Sequence, residues 1–279
     1  LNKVLFSDFR LPISDFLNVM FKILKYSFFD LTRSRWAYIY TAFFFLFTVS
    51  LLWLSGGMSK VVISLMNVIL VLVPLIATMF GVMYYYNSRE FTELLLAQPI
   101  RRTTIFFGQY LGLALSLSIS LLLGVGLPFV LYGIFGSPEV WNFMMLLIVG
   151  VFLSFIFSAI AFFIALRNEN HIKGFGLAIL VWLFFAVIYD GLFLLALSLF
   201  SDYPLEQFAI GASMFNPIDL SRVLILLKLD ISALMGFTGA VIQKFLGTAL
   251  GMAVSLTVLS VWVILPAWGI RRVANHKDF

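Results

Sequence analysis

Six apolar segments of about twenty residues or more dominate this sequence and leave few folds open to it. They lie near residues 36–55, 61–86, 103–134, 140–166, 174–200 and 247–270. A bilayer's hydrocarbon core, about 30 Å thick, needs roughly 20 apolar residues of helix to cross it. Only 11% of the residues are charged, too few to cover a water-soluble domain, and 62% are hydrophobic. The sequence therefore predicts an all-α polytopic membrane protein with six transmembrane helices.

Residues 1–35 form a separate N-terminal segment in this interpretation, and residues 36–279 form the six-helix transmembrane domain. Apolar residues recur in the first segment at spacings of three and four: Ile13, Leu17, Met20, Leu24, Phe28 and Leu31. This spacing predicts an amphipathic elbow helix. Nearby lysines and arginines favour a cytoplasmic position in the headgroup region rather than a crossing. Packing against cytoplasmic loops is the alternative.

Cations are distributed unevenly between the two sides of the predicted bundle. With the amino terminus in the cytoplasm, fourteen of the 18 lysines and arginines lie on the cytoplasmic side: Lys3, Arg10, Lys22, Lys25, Arg33, Arg35, Arg89, Arg101, Arg102, Arg167, Lys173, Arg271, Arg272 and Lys277. The outer side holds Lys60, Arg222, Lys228 and Lys244. Positively charged loops stay in the cytoplasm, so the pattern predicts an inner-membrane protein with both termini cytoplasmic. The net charge of +5 thus reflects orientation and predicts no nucleic-acid partner.

The connection between the second and third spans, residues 87–102, is polar and contains a short amphipathic run. One to two helical turns are predicted over 92–97, and Pro99 is expected to stop them because it disfavours a helical conformation at the preceding residue. Such a segment is suited to contact a partner, whereas the alternative is an ordinary positively charged loop. The candidate contact residues are Arg89, Glu90, Thr92, Glu93, Leu95, Pro99 and Arg101.

A second irregular region, residues 201–246, precedes the last span. Its apolar runs are too short to cross a bilayer, so two short helices that dip into or lie on the outer leaflet are predicted. Asn216 suits the N-cap position before Pro217 at the first helical position. Asp219 and Arg222 are three residues apart and therefore share a helix face, where we predict a local pair; substrate contact is the alternative.

Asp190 is the only carboxylate deep within a predicted span. Counted from Gly174, it lies about 24 Å along the helix, beyond the midplane toward the outer face. An ionised carboxylate at such a depth is costly, so it should face the bundle interior or a water-filled cavity. We predict that Asp190 borders the outer part of a pathway and holds the outer helices, together with Asn216, Asp219 and Arg222. The alternative is a structural carboxylate bonded to Tyr189 or Arg222.

Catalytic and metal-binding patterns are absent from the sequence. There is no cysteine, His171 and His276 belong to no metal motif, and no nucleotide-binding fingerprint occurs. Met79 and Met83 are four residues apart, but no thiolate or imidazole accompanies them to form a copper path. We therefore expect a non-enzymatic chain that binds no metal or cofactor of its own.

Small residues recur every four positions on the third span: Gly108, Gly112, Ser116 and Ser120. Such a face permits close approach of another helix. The sequence leaves open whether that helix belongs to a second copy or to the same chain.

Taken together, these features resemble a permease of the ABC-2 class of ABC transporters. The connection REFTELLLAQPIRRTTIFFGQ is similar to the corresponding segment of that class, with departures at Phe91, where Gly is usual, and at Gln109, where Lys is usual. Two further segments, NENHIKGFGLAILVWLFFAVIYDGLFLLAL and NPIDLSRVLIL, resemble the permeases of accessory transporters that mature nitrous oxide reductase.

The resemblance implies a permease subunit coupled through residues 87–102 to a separate cytoplasmic ATPase of the NosF type, which binds ATP and Mg²⁺. It further implies a second copy of the chain, contact with membrane lipid and a periplasmic accessory protein of the NosD type. The implied cargo is a sulfur-containing species for the copper–sulfur site of nitrous oxide reductase. An ABC-2 exporter of another lipid, ion or peptide and a non-transporting membrane scaffold are the alternatives.

Overall fold

A computed structural model describes residues 13–200, 206–228 and 249–276. The predicted features at Lys3, Arg10, Lys244, Lys277, 201–205 and 229–246 lie outside these ranges. The helices are α1 (Ile13–Thr32), α2 (Arg35–Leu54), α3 (Met58–Asn87), α4 (Arg89–Leu96), α5 (Arg102–Leu131), α6 (Val140–Arg167), α7 (His171–Leu183), α8 (Tyr189–Leu199), α9 (Glu206–Phe215), α10 (Pro217–Lys228) and α11 (Ala249–His276). A 3₁₀ turn (Ile134–Gly136) follows α5, and a π-helical segment (Phe184–Ile188) joins α7 to α8.

Within the described ranges, six helices are long and apolar enough to cross a membrane: α2, α3, α5, α6, the continuous helix formed by α7 and α8, and α11. This confirms the predicted all-α polytopic membrane protein. The last helix continues to His276, six residues beyond the predicted end of its span at 270. Arg271 and Arg272 extend it because arginine is a good helix former where the apolar run stops.

The core of the bundle is made by α3, α5 and α6. Helix α6 is central, since it contacts α3, α5, α7, α10 and α11. In its most apolar stretch 67% of the residues are buried, against 6% in the span formed by α7 and α8 and 17% in α11. The fifth and sixth spans therefore turn most of their apolar side chains outward, as lipid or a partner subunit requires.

The two ends of the bundle differ in charge. At one end α3 stops, α5 begins and α6 and α11 finish; this end carries Arg89, Arg101, Arg167 and Arg272, and we call it the basic end. At the opposite end Glu139 joins two helices, because its carboxylate accepts hydrogen bonds from Ser59 Oγ of α3 at 2.7 Å and from Asn142 Nδ2 of α6 at 2.5 Å.

Helix α1 packs along α5 through the predicted face of small residues. A Cβ atom at Gly108 would lie 2.8 Å from Ile23 Cγ2, and one at Gly112 would lie 2.6 Å from Ser27 Cβ. Farther along, a Cβ at Gly124 would lie 2.9 Å from Phe44 Cβ of α2. Glycine at these positions allows the close approach. The sequence left open which helix packs against this face. At Gly108 and Gly112 it is a helix of the same chain.

Candidate functional site

Helix α4 begins at Arg89, three residues earlier than predicted, and ends at Leu96, before Pro99 as expected. Ser88 both ends α3 and precedes α4, so the two helices meet without a loop. The early start is supported by an ion pair between Arg89 Nε and Glu93 Oε1 at 3.0 Å, one helical turn apart. Both side chains are exposed, so the pair contributes only a few tenths of a kcal/mol, about 0.3–0.5.

The inner face of α4 is fastened to α5 by a buried hydrogen bond. Gln109 Nε2 donates to Thr92 Oγ1 at 2.9 Å, and Thr92 Oγ1 donates to the Ser88 carbonyl at 2.8 Å. Gln109 is fully buried and Thr92 nearly so. Thr92, predicted as a partner contact, therefore faces α5, where it positions α4.

An aromatic stack fastens the same helix to α1. The rings of Phe91 and Tyr26 lie 4.6 Å apart with 24° between their planes. Phe91 and Gln109 are the two positions at which the connection departs from the ABC-2 pattern. At both positions, the side chain that departs from the pattern holds α4 against the helix bundle of the same chain.

The outer face of α4 remains open. Leu94 is 69% exposed, and Glu90 beside it is exposed as well, whereas Leu95 is half-buried. Pro99 and Arg101 are exposed in the turn between α4 and α5. Glu90 and Leu94 therefore form part of the exposed face of α4.

A second connection at the basic end, between α6 and α7, is held against the end of α3 by Tyr86. The Tyr86 hydroxyl donates to the Asn168 carbonyl at 2.8 Å, and its ring stacks on His171 with centroids 4.3 Å apart. Gly174 makes room for the Tyr86 hydroxyl, which a Cβ atom there would overlap. Ile172 in this connection is 83% exposed. The basic end thus has two segments with exposed apolar side chains, and both adjoin the last turns of α3.

At the opposite end the structure brings together all four predicted pathway residues, which we call the polar cluster: Asp190, Asn216, Asp219 and Arg222. Arg222 NH1 lies 3.0 Å from Asp190 Oδ2 and 3.2 Å from Asp219 Oδ1. Asn216 Nδ2 donates to Asp219 Oδ2 at 2.8 Å. The predicted pairing of Asp219 with Arg222 is confirmed, and Arg222 is the partner of Asp190.

The π-helical segment gives the polar cluster a backbone acceptor. A wider turn disrupts the regular hydrogen-bond ladder of the helix, and such turns are frequent at functional sites. Asn216 Nδ2 donates to the Phe185 carbonyl within this segment at 2.8 Å, while Asn216 Oδ1 accepts from the Ile218 amide at 3.0 Å. Asn216 therefore caps α10, as predicted, and also joins it to the fifth span.

Burial raises the pKa of Asp219 to about 6, while Arg222 and the Asn216 amide oppose that shift. Asp190 adds to the rise because a second carboxylate disfavours ionisation. The Asp219 carboxyl group therefore gains or loses its proton in mildly acidic solution.

Two adjacent cavities lie on the half of the bundle nearer the basic end, one between α2, α3 and α7 and the other between α1, α2 and α3. The apolar one, about 310 Å³, is lined by side chains that include Met79 and Phe175. The other, about 260 Å³, has polar lining from Asp30, Asn87 and Ser88. Both cavities share three lining residues, Trp36, Phe80 and Met83. Together they form a cleft that is polar near Asp30 and Asn87 and apolar near Met79 and Phe175.

The sequence analysis missed four positioning residues, Tyr26, Tyr86, Phe91 and Gln109, and one exposed contact candidate, Leu94. The run of three tyrosines at 84–86, where an apolar span ends, was a usable signal for a fixed end of α3. A glutamine within the third span was another, because a buried amide requires hydrogen-bond partners.

No protein-family model matches the chain. Two curated proteins are similar to it over most of its length, both named "Probable ABC transporter permease protein NosY". The one from Stutzerimonas stutzeri is 26% identical over 272 residues, covering 90% of this chain and 94% of the relative. The one from Pseudomonas aeruginosa is 27% identical over 267 residues, covering 90% of this chain and 93% of the relative. These similarities support a NosY-like ABC transporter permease. With six apolar helices, the NosY-like chain is a multi-pass membrane protein.

Proposed function

We propose that this chain is the membrane subunit of a NosY-like ABC transporter whose separate, NosF-like ATPase binds the outer face of α4. One observation carries the proposal: α4 is fastened on its inner side by Thr92 and Phe91 and leaves Glu90 and Leu94 exposed on its outer side. When a bound partner displaces a helix that is attached in this way, the displacement can pass to α1 and α5. The exposed Ile172 in the connection between α6 and α7 enlarges the contact surface.

The basic end faces the cytoplasm in this proposal, with both termini on that side of the inner membrane. The distribution of arginine and lysine supports this orientation through the positive-inside rule. A second copy of the chain covers part of the outward apolar surface of the fifth and sixth spans, and a NosD-like protein lies on the periplasmic side.

The cleft lined by α1, α2, α3 and α7 forms the cytoplasmic part of the route, and the polar cluster closes the periplasmic part. The polar lining at Asp30 and Asn87 suits the entry of a hydrated species. Asp190 then acts as a closing residue, since its bond to Arg222 must be rearranged before the fifth span can move away from α10.

The proposed cargo is a sulfur-containing species used to build the copper–sulfur site of nitrous oxide reductase. Support comes from the similarity to NosY-named permeases and from the absence of cysteine in the chain, which suits a non-metal cargo. In a strain that lacks this chain, the reductase polypeptide should be present but its copper–sulfur site should lack sulfide. A reductase with normal sulfide content would reject this cargo and leave an exporter of another lipid, ion or peptide.

Docking of the ATPase is tested with Leu94→Asp, which places a charge in the exposed face without touching the buried bonds of α4. We expect the variant to reach the membrane in normal amount but to lose most of the copurifying ATPase. Gln98→Asp is the matched control, because it adds the same charge to an exposed position in the same connection. Leu95→Asp is less informative, since Leu95 is half-buried and its loss would also disturb packing.

Equal ATPase recovery from Leu94→Asp, Gln98→Asp and the unchanged protein would contradict docking on α4. If no variant, including the unchanged protein, retained an ATPase, the chain would instead be a membrane scaffold.

A further inference from the structure

A cleft of about 560 Å³ lies between α6 and α11 at the basic end, separate from α4 and from the polar cluster. Phe163 and Leu166 of α6 and Val273 of α11 form its apolar floor. Arg167 and Arg272 lie along the same cleft, each in the last turns of a membrane-spanning helix. The cleft therefore combines an apolar floor with two guanidinium groups at the level where a span leaves the hydrocarbon core.

Packing fixes the shape of this cleft. A Cβ atom at Gly269 would lie 2.8 Å from Phe163 Cδ2, so glycine lets α11 approach α6 closely beside the opening. Arg272 lies over the Trp268 ring, with Cζ 5.6 Å from the ring centroid. A cation–π contact of this kind keeps the guanidinium near the cleft, since it favours one position of a long, flexible side chain.

The lining chemistry selects for an anion with an apolar body. Guanidinium groups present planar donors that match phosphate oxygens, and none of the described residues that line this cleft is acidic. Aromatic and aliphatic side chains below the arginines suit an acyl chain rather than water. Basic pockets between transmembrane helices on the cytoplasmic side are known to hold anionic lipid headgroups.

We propose that this cleft is a binding site for an anionic phospholipid, with the headgroup phosphate between Arg167 and Arg272 and an acyl chain along Phe163 and Trp268. The occupant is a lipid rather than a free phosphate because the floor is apolar and the cleft opens between two spans. Such a lipid would brace α11 against α6, the helix that also contacts α3 and α10.

The test uses the full chain in nanodiscs with a small fraction of brominated lipid, which quenches nearby tryptophan fluorescence. Brominated phosphatidylglycerol should quench Trp268 at about tenfold lower mole fraction than brominated phosphatidylcholine. The Trp268 signal is the difference between the unchanged protein and Trp268→Phe. Arg167→Gln/Arg272→Gln should lose the tenfold preference, because each cation near the surface adds measurably to the binding of anionic lipid.

Arg33→Gln/Arg35→Gln is the matched control, since it removes two exposed cations near the same end but outside the cleft. It should keep the full preference. Equal loss of preference in both double variants would overturn the site in favour of general surface attraction. Equal quenching by the two lipids in the unchanged protein, or displacement of the lipid by millimolar inorganic phosphate, would also overturn it.

Discussion

Among the described residues, α4 is held to the bundle at the basic end by a ring stack and a neutral hydrogen bond, whereas at the opposite end α10 is inserted into the bundle and held by charged side chains. Leu220, Leu224 and Ile225 of α10 are fully buried, while the outer face of α4 remains open. The bonds at Phe91 and Thr92 are few and neutral, so α4 can shift at modest cost. The polar cluster instead joins α10 to the fifth span through charges that are expensive to separate.

This difference suits a transporter driven from one end. A helix that receives force needs an exposed contact face and a defined connection to the core, and α4 has both. The periplasmic part of the route must stay closed until that force arrives. A partly buried ion pair resists separation, because its separated charges would remain poorly solvated. In the proposed mechanism, α4 is therefore attached less firmly than α10. Substitutions at each end should reveal this difference in stability.

The largest effect is expected for Arg222→Met, which leaves Asp190 and Asp219 close together without their shared cation. Removal of one partner from a buried pair costs about 3–5 kcal/mol, and we expect about 3 because Arg222 and Asp190 keep roughly a third of their surface in contact with solvent. The free energy of unfolding in mixed micelles measures this loss. Arg33→Met, an exposed change of the same kind, should stay within about 0.5 kcal/mol of the unchanged protein.

Neutralising the two carboxylates that lack their cation should recover at least half of the lost free energy of unfolding. The triple variant Arg222→Met/Asp190→Asn/Asp219→Asn tests this, because the cost lies in uncompensated charge rather than in lost contacts. If Arg222→Met proves as stable as Arg33→Met, the polar cluster does not hold α10, and the contrast between the ends disappears.

A smaller effect follows from the raised pKa of Asp219. A carboxyl group whose pKa moves from 3.8 unfolded to about 6 folded favours the folded state below pH 3.8, and this contribution is lost as the pH rises through 6. Between pH 4.5 and 7 the loss amounts to about 2 kcal/mol. Asp219→Asn should therefore gain stability relative to the unchanged protein by about that amount over this range.

Unfolding curves of both proteins at four pH values provide the measurement, with Glu93→Gln as the control for an exposed carboxylate. A constant difference between Asp219→Asn and the unchanged protein at every pH would show that Asp219 keeps an ordinary pKa.

The two ends also differ in how much of them the sequence could predict. The residues of the polar cluster could be chosen in advance, because a carboxylate within a span and a capped Asn-Pro turn have few explanations. The attachment of α4 could not, since Tyr26 and Phe91 are 65 positions apart and their stack depends on how α1 lies along α5. The π-helical segment was likewise unpredicted, because the apolar run 183–188 follows the pattern of an uninterrupted helix.

The smallest effect on overall stability is expected at Gln109, and it separates a local attachment from a global one. Gln109→Leu removes the donor to Thr92 but also removes Gln109 Oε1, which has no hydrogen-bond partner within the described residues. Thr92 still donates to the Ser88 carbonyl, so no new unpaired group is created. We expect the free energy of unfolding to change by less than about 1 kcal/mol, while amide hydrogen exchange in α4 becomes about fivefold faster, the equivalent of one lost bond of about 1 kcal/mol. Ser118→Ala is the control, since it removes a buried hydroxyl of α5 that donates to the Ala114 carbonyl of the same helix, and exchange in α4 should not change. Faster exchange in α10 as well as α4 would mean that Gln109 supports the whole bundle, and that α4 is not the separately held segment that the difference between the two ends requires.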